Sequence, residues 1–189
     1  MRPYTGRHRR CRAAMGYTPL AVSPETSTAP LTLRPITDAD EGFLFRLYAS
    51  TREEEMKLTD WTQEQKAAFL RMQFDAQHRH YQEHYAGARF DVVLAGGEPV
   101  GRLYVDRTPE RWDDEIRLVE VALLPEHRGR GLGSRLLGEL MDEARAAGKR
   151  LTIHVETFNP AMRLYERLGF RPISEYGMYH LMEWRADSP

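Results

Sequence analysis

The fold is decided by one stretch in the second half of the chain. Residues 115–148 read EIRLVEVALLPEHRGRGLGSRLLGELMDEARAAG. The β-branched and leucine-rich run from Ile116 to Leu124 predicts a long strand in the centre of a sheet. After Gly131 the apolar residues recur at helical spacing, which predicts an amphipathic helix that ends at Gly148. A strand, a glycine-rich loop and a helix therefore follow one another.

The loop between this strand and this helix has the composition of an anion site. It reads Arg128-Gly129-Arg130-Gly131-Leu132-Gly133. Glycines let the backbone approach a phosphate closely, and the first amides of the helix point at it. No Lys-Ser/Thr pair follows the glycines, which excludes a nucleotide-binding P-loop. No acidic residue follows on a second strand at the Rossmann spacing, which excludes a dinucleotide-binding loop. The alternative is a helix N-terminus that is rich in glycine by chance and binds no ligand.

Two strands and a short helix are predicted after the central helix. Leu151 to Glu156 forms a strand, and Asn159-Pro160 supplies an N-cap and a first-turn proline to a helix that ends before Gly169. A final strand pair lies near Arg171 to Ile173 and near Met178 to Trp184. These elements complete the carboxyl-terminal part of a sheet.

The segment before the central strand supplies two further helices and three strands. Leu31 begins a strand, Thr37-Asp38 is an N-cap signal, and a second helix begins near Thr62. Residues 52–57, REEEMK, read as a polar connection between these helices. Residues 90–105 contain two apolar runs around Gly-Gly, which predicts a β-hairpin. The whole order, β-α-α-β-β-β-α-β-α-β-β, predicts a single α/β domain with a mixed sheet.

Composition limits the class of partner. Across 189 residues, 27 Lys and Arg stand against 28 Asp and Glu, so we expect no nucleic-acid partner. No apolar run is long enough for a membrane span or a signal peptide, so we expect no membrane partner and a cytoplasmic location. The single cysteine, Cys11, excludes an internal disulfide and a cysteine-built metal site.

The first 30 residues differ in composition from the rest. An arginine-rich start is followed by Ser, Thr and Pro without apolar periodicity. We predict a disordered tail over residues 1–30 and a folded domain over residues 31–185. Two alternatives are an arm for anionic surfaces or nucleic acid, and a translation start at Met15.

Two motifs together resemble the GNAT superfamily of acyl-CoA-dependent N-acyltransferases. The first is Arg-x-x-Gly-x-Gly after a strand that ends in Pro125, and the second is NPAMRLYERLGF over residues 159–170. The resemblance is specific from Glu115 to Phe170 and extends in element order from Leu31 to Trp184. It implies a single-domain GNAT fold with a mixed, mostly antiparallel sheet of six to seven strands and about four helices. It also implies that the sheet opens between strands 4 and 5.

The resemblance implies acetyl-CoA as co-substrate and no metal. The loop would hold the CoA pyrophosphate, and the main chain of the central strand would pair with the pantetheine arm. Asn159 would contact this arm or an ordered water, with a simple N-cap as the alternative. The implied cofactor-binding residues are Val121, Ala122, Leu123, Arg128, Gly129, Arg130, Gly131, Leu132, Gly133, Ser134, Asn159 and Tyr165.

Acetyl transfer from a thioester needs an unprotonated amine and a proton for the leaving thiolate. Tyr165 matches the family tyrosine that protonates the sulfur, so we predict it as general acid; the alternative is an ordinary core aromatic. Glu120 interrupts an apolar strand and is the predicted general base. Its alternative is an exposed edge glutamate or an ion-pair partner. His154 on the neighbouring strand is the second candidate base.

The predicted function is N-acetylation of a primary amine by direct transfer in a ternary complex. The acceptor, a small molecule or a peptide, is left unidentified by the sequence, and the resemblance allows a homodimer. Glu53, Glu54 and Glu55 would attract a cationic amine or form a solvated charge run. One alternative function is an inactive acyl-CoA sensor, and another is a structural interaction domain. His80 and His84 have metal-ligand spacing, but no third ligand accompanies them, so we predict no metal site.

Overall fold

A computed structural model describes residues 30–109 and 113–186 of the chain. Its strands are β1 (Leu31–Pro35), β2 (Arg89–Ala95), β3 (Glu98–Asp106), β4 (Glu115–Leu123), β5 (Arg150–Glu156), β6 (Arg171–Tyr176) and β7 (Tyr179–Trp184). Its α-helices are α1 (Glu41–Thr51), α2 (Glu53–Lys57), α3 (Gln63–His84), α4 (Leu132–Ala147) and α5 (Met162–Arg167), with 3-10 turns at Asp38–Asp40 and Pro125–His127. The predicted tail, apart from Pro30, lies outside the described residues, and the domain boundary stays a prediction.

The strands form one sheet in the order β1-β2-β3-β4-β5-β7-β6. Every neighbouring pair is antiparallel except β4 and β5, which are parallel. This confirms the predicted mixed, mostly antiparallel sheet. Within the described residues, no helix is both long and apolar enough to cross a membrane.

Helices cover both faces of the sheet, and each face has its own hydrophobic core. On one face, Leu136, Leu137 and Leu140 of α4 pack against apolar side chains of β3, β4 and β5. On the other face, α1 and α3 pack over Val92 and Ala122. Gly148 ends α4 in the left-handed conformation with φ 64°, as its sequence position predicts.

Residues 53–57 form helix α2, so the prediction of a polar connection was wrong there, and the described residues contain five α-helices where about four were expected. Three glutamates in its first turn face the positive end of the helix dipole. Lys57 in its last turn pairs with Glu53 (3.3 Å) and Glu54 (2.7 Å). These local charge interactions favour a helix although the segment buries no side chain.

Helix α5 begins at Met162, two residues later than an N-cap at Asn159 predicts. The Asn159 side chain still accepts a hydrogen bond, from the backbone N–H of Ala161 at 2.9 Å. Its backbone oxygen accepts from the N–H of Met162 at 3.0 Å. Asn159 therefore orders the turn that leads into α5, which is a local role of asparagine.

The sheet opens between β4 and β5. Their pairing joins Glu115 through Leu118 to Arg150 through Ile153 and stops there, so Val119 to Leu123 continue without β5 as a neighbour. The carboxylate of Glu115, 1% exposed, holds the paired end together. It accepts a hydrogen bond from Thr152 Oγ1 (2.6 Å) and forms ion pairs with Arg117 (2.6 Å) and Arg150 (2.9 Å). The predicted opening of the sheet is confirmed.

Gly101 on β3 sets the close approach of β3 and β4. A Cβ atom there would lie 2.3 Å from the carbonyl oxygen of Ala122 and 2.7 Å from Cδ2 of Leu123. We predict that Gly101→Ala lowers the free energy of unfolding by about 1 to 3 kcal/mol in urea titrations, because the new methyl group would force the backbones of β3 and β4 apart. Gly138→Ala in α4, where a Cβ meets nothing within 4 Å, is the control. It should stabilise the protein by about 0.5 to 1 kcal/mol, and equal effects at both positions would contradict the prediction.

A partly buried ion pair joins β1 to the turn that precedes α1. The Asp40 carboxylate, 8% exposed, is bound by Arg34 at 2.6 and 2.7 Å and by the backbone N–H of Thr37 at 2.8 Å. The guanidinium of Arg34 holds the pKa of the Asp40 carboxyl well below its usual range, and Thr37 lowers it further. The charged carboxylate is therefore stabilised in the folded state relative to the unfolded state.

We predict that Asp40→Asn lowers the free energy of unfolding by about 1.5 to 3 kcal/mol at pH 7. A lowered folded-state pKa stabilises the protein above the unfolded pKa of about 3.9, and this stabilisation is lost as the pH falls below that value. Urea unfolding should therefore show a smaller difference between wild type and variant at pH 3 than at pH 7. Asp38→Asn, at an exposed position of the same turn, is the control. An equal difference at both pH values would disagree with this explanation.

Candidate active site

The glycine-rich loop leaves the amino end of α4 open. Gly129 and Gly131 have φ values of 70° and 80°, a region that favours glycine. The N-cap of α4 is Gly131, which has no side chain to bind the first amides. The first backbone bond of the helix runs from the N–H of Arg135 to the oxygen of Gly131. The preceding amides of the first turn point beyond the helix end, where the dipole favours an anion.

Arg128 connects this loop to the open part of β4. Its Nε donates to the carbonyl oxygen of Leu123 at 2.7 Å, and its terminal nitrogen donates to Ser50 Oγ on α1 at 3.1 Å. Arg130 is exposed on the same loop. The two segments that the sequence predicts as cofactor-binding, 121–123 and 128–134, are therefore in direct contact.

A β-bulge decides which way Glu120 points. Simple alternation along β4 would place Glu120 on the same face as Ile116 and Leu118. Instead Leu118 pairs with Val105 and Glu120 pairs with the preceding residue of β3, so β4 contains one extra residue. The extra residue turns the Glu120 side chain away from α4 and toward α3. Bulges of this kind often redirect a side chain near an active site.

Glu120 is held on both carboxylate oxygens. The hydroxyl of Tyr81 on α3 donates to Oε2 at 2.6 Å, and the guanidinium of Arg102 on β3 lies 3.5 Å from Oε1. The Glu120 side chain is 20% exposed, so it is not an exposed edge glutamate but a half-buried ion-pair partner. Burial, together with the negative charge of Glu120, raises the pKa of Tyr81. The general-base role of Glu120 stays a prediction.

Tyr165 lies on α5 at the same opening. Its side chain is 3% exposed and contacts the ring of Phe170 edge to face at 5.7 Å, so it packs in the core as well. Burial raises the pKa of the Tyr165 phenol, and the charge of Glu120 raises it further. The phenol therefore keeps its proton at neutral pH and lies within electrostatic range of the predicted base.

His154 lies on β5 and belongs to the polar cluster at the paired end of β4 and β5. The guanidinium of Arg117 donates to its Nδ1 at 2.8 Å. Burial and the positive charge of Arg117 lower the pKa of His154, so the imidazole is neutral at pH 7. A neutral ring that accepts at Nδ1 carries its proton on Nε2. His154 consequently has no free lone pair in this arrangement.

Arg102 was not among the residues predicted for the site. Its side chain is 2% exposed, its terminal nitrogen donates to Gln77 Oε1 at 2.9 Å, and it lies over the ring of Tyr104 at 5.3 Å. One sequence feature points to Arg102: an arginine stands in the middle of the apolar run of residues 100–105. This run lies in a sheet that helices cover on both faces. Burial of that position depends on α3, which is distant in sequence.

The acidic run on α2 is largely ion-paired. Besides the pairs of Lys57, Arg52 contacts both Glu55 (2.9 Å) and Glu156 on β5 (3.4 Å). These contacts support a solvated charge run rather than a strong cation site. His80 and His84 on α3 stack at 4.2 Å between ring centroids. In the part of the chain that the structure describes, no three His, Cys, Asp or Glu side chains are grouped to hold a metal ion.

Residues 44–170 match the model of the Acetyltransferase (GNAT) family, and this match spans the opening, the loop, Glu120 and Tyr165. The chain belongs to that family. The predicted GNAT resemblance is confirmed by the match and by the sheet topology.

Two curated relatives are named as an acetyltransferase and an acyltransferase. The chain is 35% identical over 97 residues to the N-alpha-acetyltransferase RimI of Mycobacterium tuberculosis, which covers 51% of this chain and 58% of that protein. It is 46% identical over 48 residues to the L-amino acid N-acyltransferase MnaT of Escherichia coli, which covers 24% of this chain and 28% of that protein. The matched segments thus span less than two thirds of these relatives.

Solved GNAT structures share the fold over nearly their whole length. A PaiA N-acetyltransferase from Thermoplasma acidophilum, solved in complex with coenzyme A, superposes with a TM-score of 0.61 at 15% identity, over 83% of this chain and 99% of that one. An acetyltransferase from Thermus thermophilus gives 0.59 at 24% identity, over 82% and 97%. At identities of 15% and 24%, this similarity shows that the chain shares the fold of these two proteins.

Proposed function

We propose that this GNAT protein is an N-acetyltransferase that moves an acetyl group from acetyl-CoA directly to a primary amine in a ternary complex. The observation that carries the proposal is the opening of the sheet after Leu118 and Ile153. A free helix N-terminus lies beyond one end of this opening, and an electrostatically coupled Glu120 and Tyr165 lie beside it.

The described residues fit acetyl-CoA in one orientation. The first-turn amides of α4, with Arg130, suit the pyrophosphate, because backbone N–H groups at a helix N-terminus bind anions. The open edge of Val121 to Leu123 offers backbone groups to the amides of pantetheine, as an added strand would. In the proposed orientation the thioester lies toward Glu120 and Tyr165. The relatives' names and the coenzyme A in the Thermoplasma structure agree with this choice of co-substrate.

The chemistry needs two proton transfers by side chains and no covalent enzyme intermediate. Glu120 takes a proton from the ammonium form of the acceptor, and the neutral nitrogen then attacks the thioester carbonyl carbon and forms the C–N bond, losing its remaining extra proton to solvent. The C–S bond then breaks, and the Tyr165 hydroxyl gives its proton to the leaving sulfur. Exchange with solvent returns both side chains to their starting states.

Glu120 is the better supported of the two candidate bases. Its carboxylate accepts one hydrogen bond, from Tyr81, and pairs with Arg102 at 3.5 Å, so lone pairs remain free to accept a proton. His154, in contrast, uses its Nδ1 lone pair to accept from Arg117. We therefore assign proton abstraction to Glu120 and a structural role to His154.

Gly131→Ala tests the pyrophosphate site. A residue with a Cβ at φ 80° costs about 1 to 2 kcal/mol, so the loop should lose the conformation that exposes the amides. We expect the KM for acetyl-CoA to rise about tenfold with kcat little changed, as measured in steady-state assays. Gly138→Ala, later in the same helix, should leave this KM unchanged. A normal KM for Gly131→Ala would argue against binding at this loop.

The proposed function is tested by incubation with acetyl-CoA and a panel of amines while free thiol is followed. The panel contains a peptide with N-terminal alanine, L-amino acids and spermidine, because relatives and structural neighbours are named for such acceptors. We expect thiol release that depends on one class of amine. Tight CoA binding without turnover on any amine would favour an acyl-CoA sensor instead.

A further inference from the structure

Arg102 is a charged side chain that the protein keeps almost fully out of water. It lies in the middle of β3, with 2% of its side chain exposed. Its Nε makes no hydrogen bond within the described residues. A buried cation with an unsatisfied donor lowers stability, so its retention calls for a function.

Three elements surround the guanidinium of Arg102. Glu120 faces it from β4 and Tyr104 lies beside it on β3. From α3, Gln77 accepts its hydrogen bond, and the charge of Arg102 acts on His78 and Tyr81. Among these groups, Glu120 is the only acidic side chain.

The two oxygens of Glu120 are held from two different elements. Arg102 on β3 lies 3.5 Å from Oε1, while the Tyr81 hydroxyl on α3 is 2.6 Å from Oε2. A hydrogen bond to one oxygen and an ion pair at the other restrict the rotation of the carboxylate more than either contact alone would. The hydroxyl of Tyr81 is itself held by the packing of its ring against Tyr104 at 5.9 Å.

We propose that Arg102 is a positioning residue for the acetyl transfer. It holds the Glu120 carboxylate in the position from which it takes a proton from the amine, and Tyr81 completes the support. The inference rests on the proposed function, because it assigns Arg102 a role only through Glu120. A buried ion pair adds little net stability compared with apolar residues of the same volume, so stability alone does not account for Arg102.

The test is a double-variant cycle on kcat, with acetyl-CoA and the panel amine that wild type acetylates fastest. We expect Arg102→Met to lower kcat tenfold or more, with the KM for acetyl-CoA within twofold of wild type, and Arg102→Lys to regain part of the loss. In a Glu120→Gln background, Arg102→Met should cause no further loss. A residue that acts only through Glu120 has nothing left to position there.

Arg107→Met is the matched control, because Arg107 pairs with Glu143 at 2.5 and 2.9 Å outside the opening. Its kcat should equal that of wild type. Thermal unfolding of every variant checks the fold. If Arg102→Met is unfolded, Arg102→Lys in the wild-type and Glu120→Gln backgrounds completes the same cycle.

Three results would overturn the positioning role, and they are distinguishable. If Arg102→Met lowers kcat equally in the wild-type and Glu120→Gln backgrounds, the positioning role of Arg102 is overturned and the base assignment stands. If Glu120→Gln keeps the wild-type kcat, both the base role of Glu120 and the positioning role of Arg102 are overturned. Absence of amine-dependent turnover in the wild-type protein overturns the proposed function itself.

Discussion

Replacing Tyr165 with phenylalanine is expected to lower kcat by about 10²- to 10³-fold, the range that loss of a general acid produces. The phenol is buried at the opening, and its raised pKa keeps it protonated at neutral pH. Phenylalanine preserves the ring that packs on Phe170 and removes only the proton donor. The KM for acetyl-CoA should therefore stay close to the wild-type value.

Stopped assays of thiol release at saturating acetyl-CoA measure this effect. Tyr48→Phe is the control, because Tyr48 is also a buried tyrosine, 5% exposed, but lies on α1 in the other core. It should leave kcat unchanged. A kcat for Tyr165→Phe within threefold of wild type would show that Tyr165 is only a core aromatic.

Glu120→Gln is expected to reduce kcat/KM by about 10²-fold or more at pH 7, because the variant has no group to take the proton from the amine. The rate then depends on the amine that is already deprotonated in solution. It should rise about tenfold for each pH unit while the pH is below the pKa of the amine. At high pH the variant therefore approaches wild type.

The pH dependence of kcat/KM from pH 6 to 10 measures this recovery. Glu156→Gln serves as control, because Glu156 is a carboxylate on the neighbouring strand β5 that binds Arg52. It should keep the wild-type profile. An equal loss in both variants would indicate a general effect of surface charge, and no loss in Glu120→Gln would rule out its role as base.

Local sequence signals predicted most of the fold. The glycines at 129, 131 and 148 require φ values above zero and so mark the loop and the end of α4. Apolar periodicity placed α3 and α4, and the family resemblance added the opening between β4 and β5. The loop and the helices depend on neighbours in the chain, which is why the sequence alone predicts them, whereas the opening was predicted only from the resemblance.

The orientation and support of Glu120 could not be predicted in this way. The bulge between β3 and β4 arises from pairing between strands, and alternation along β4 points Glu120 to the wrong face. Arg102 and Tyr81 meet Glu120 only after α3 packs on the sheet. Helix α2 was missed because its support is electrostatic rather than apolar.

The arrangement of β4 and β5 explains how one sheet can be both stable and open. The buried cluster around Glu115 holds their first residues together, while the later residues of β4 have no neighbour on that side among the described strands. Binding at the open edge thus requires no disruption of the paired end. In the proposed site, stability and cofactor binding are therefore assigned to different halves of the same two strands.

A crystal structure of the protein with bound acetyl-CoA tests the proposed site most directly. We expect the pyrophosphate within hydrogen-bonding distance of the amides between Gly129 and Ser134, and the pantetheine amides paired with the main chain of Val121 to Leu123. The thioester should then lie between Glu120 and Tyr165. Acetyl-CoA bound along another strand edge, or with its pyrophosphate away from the amino end of α4, would contradict the assignment of this opening as the active site.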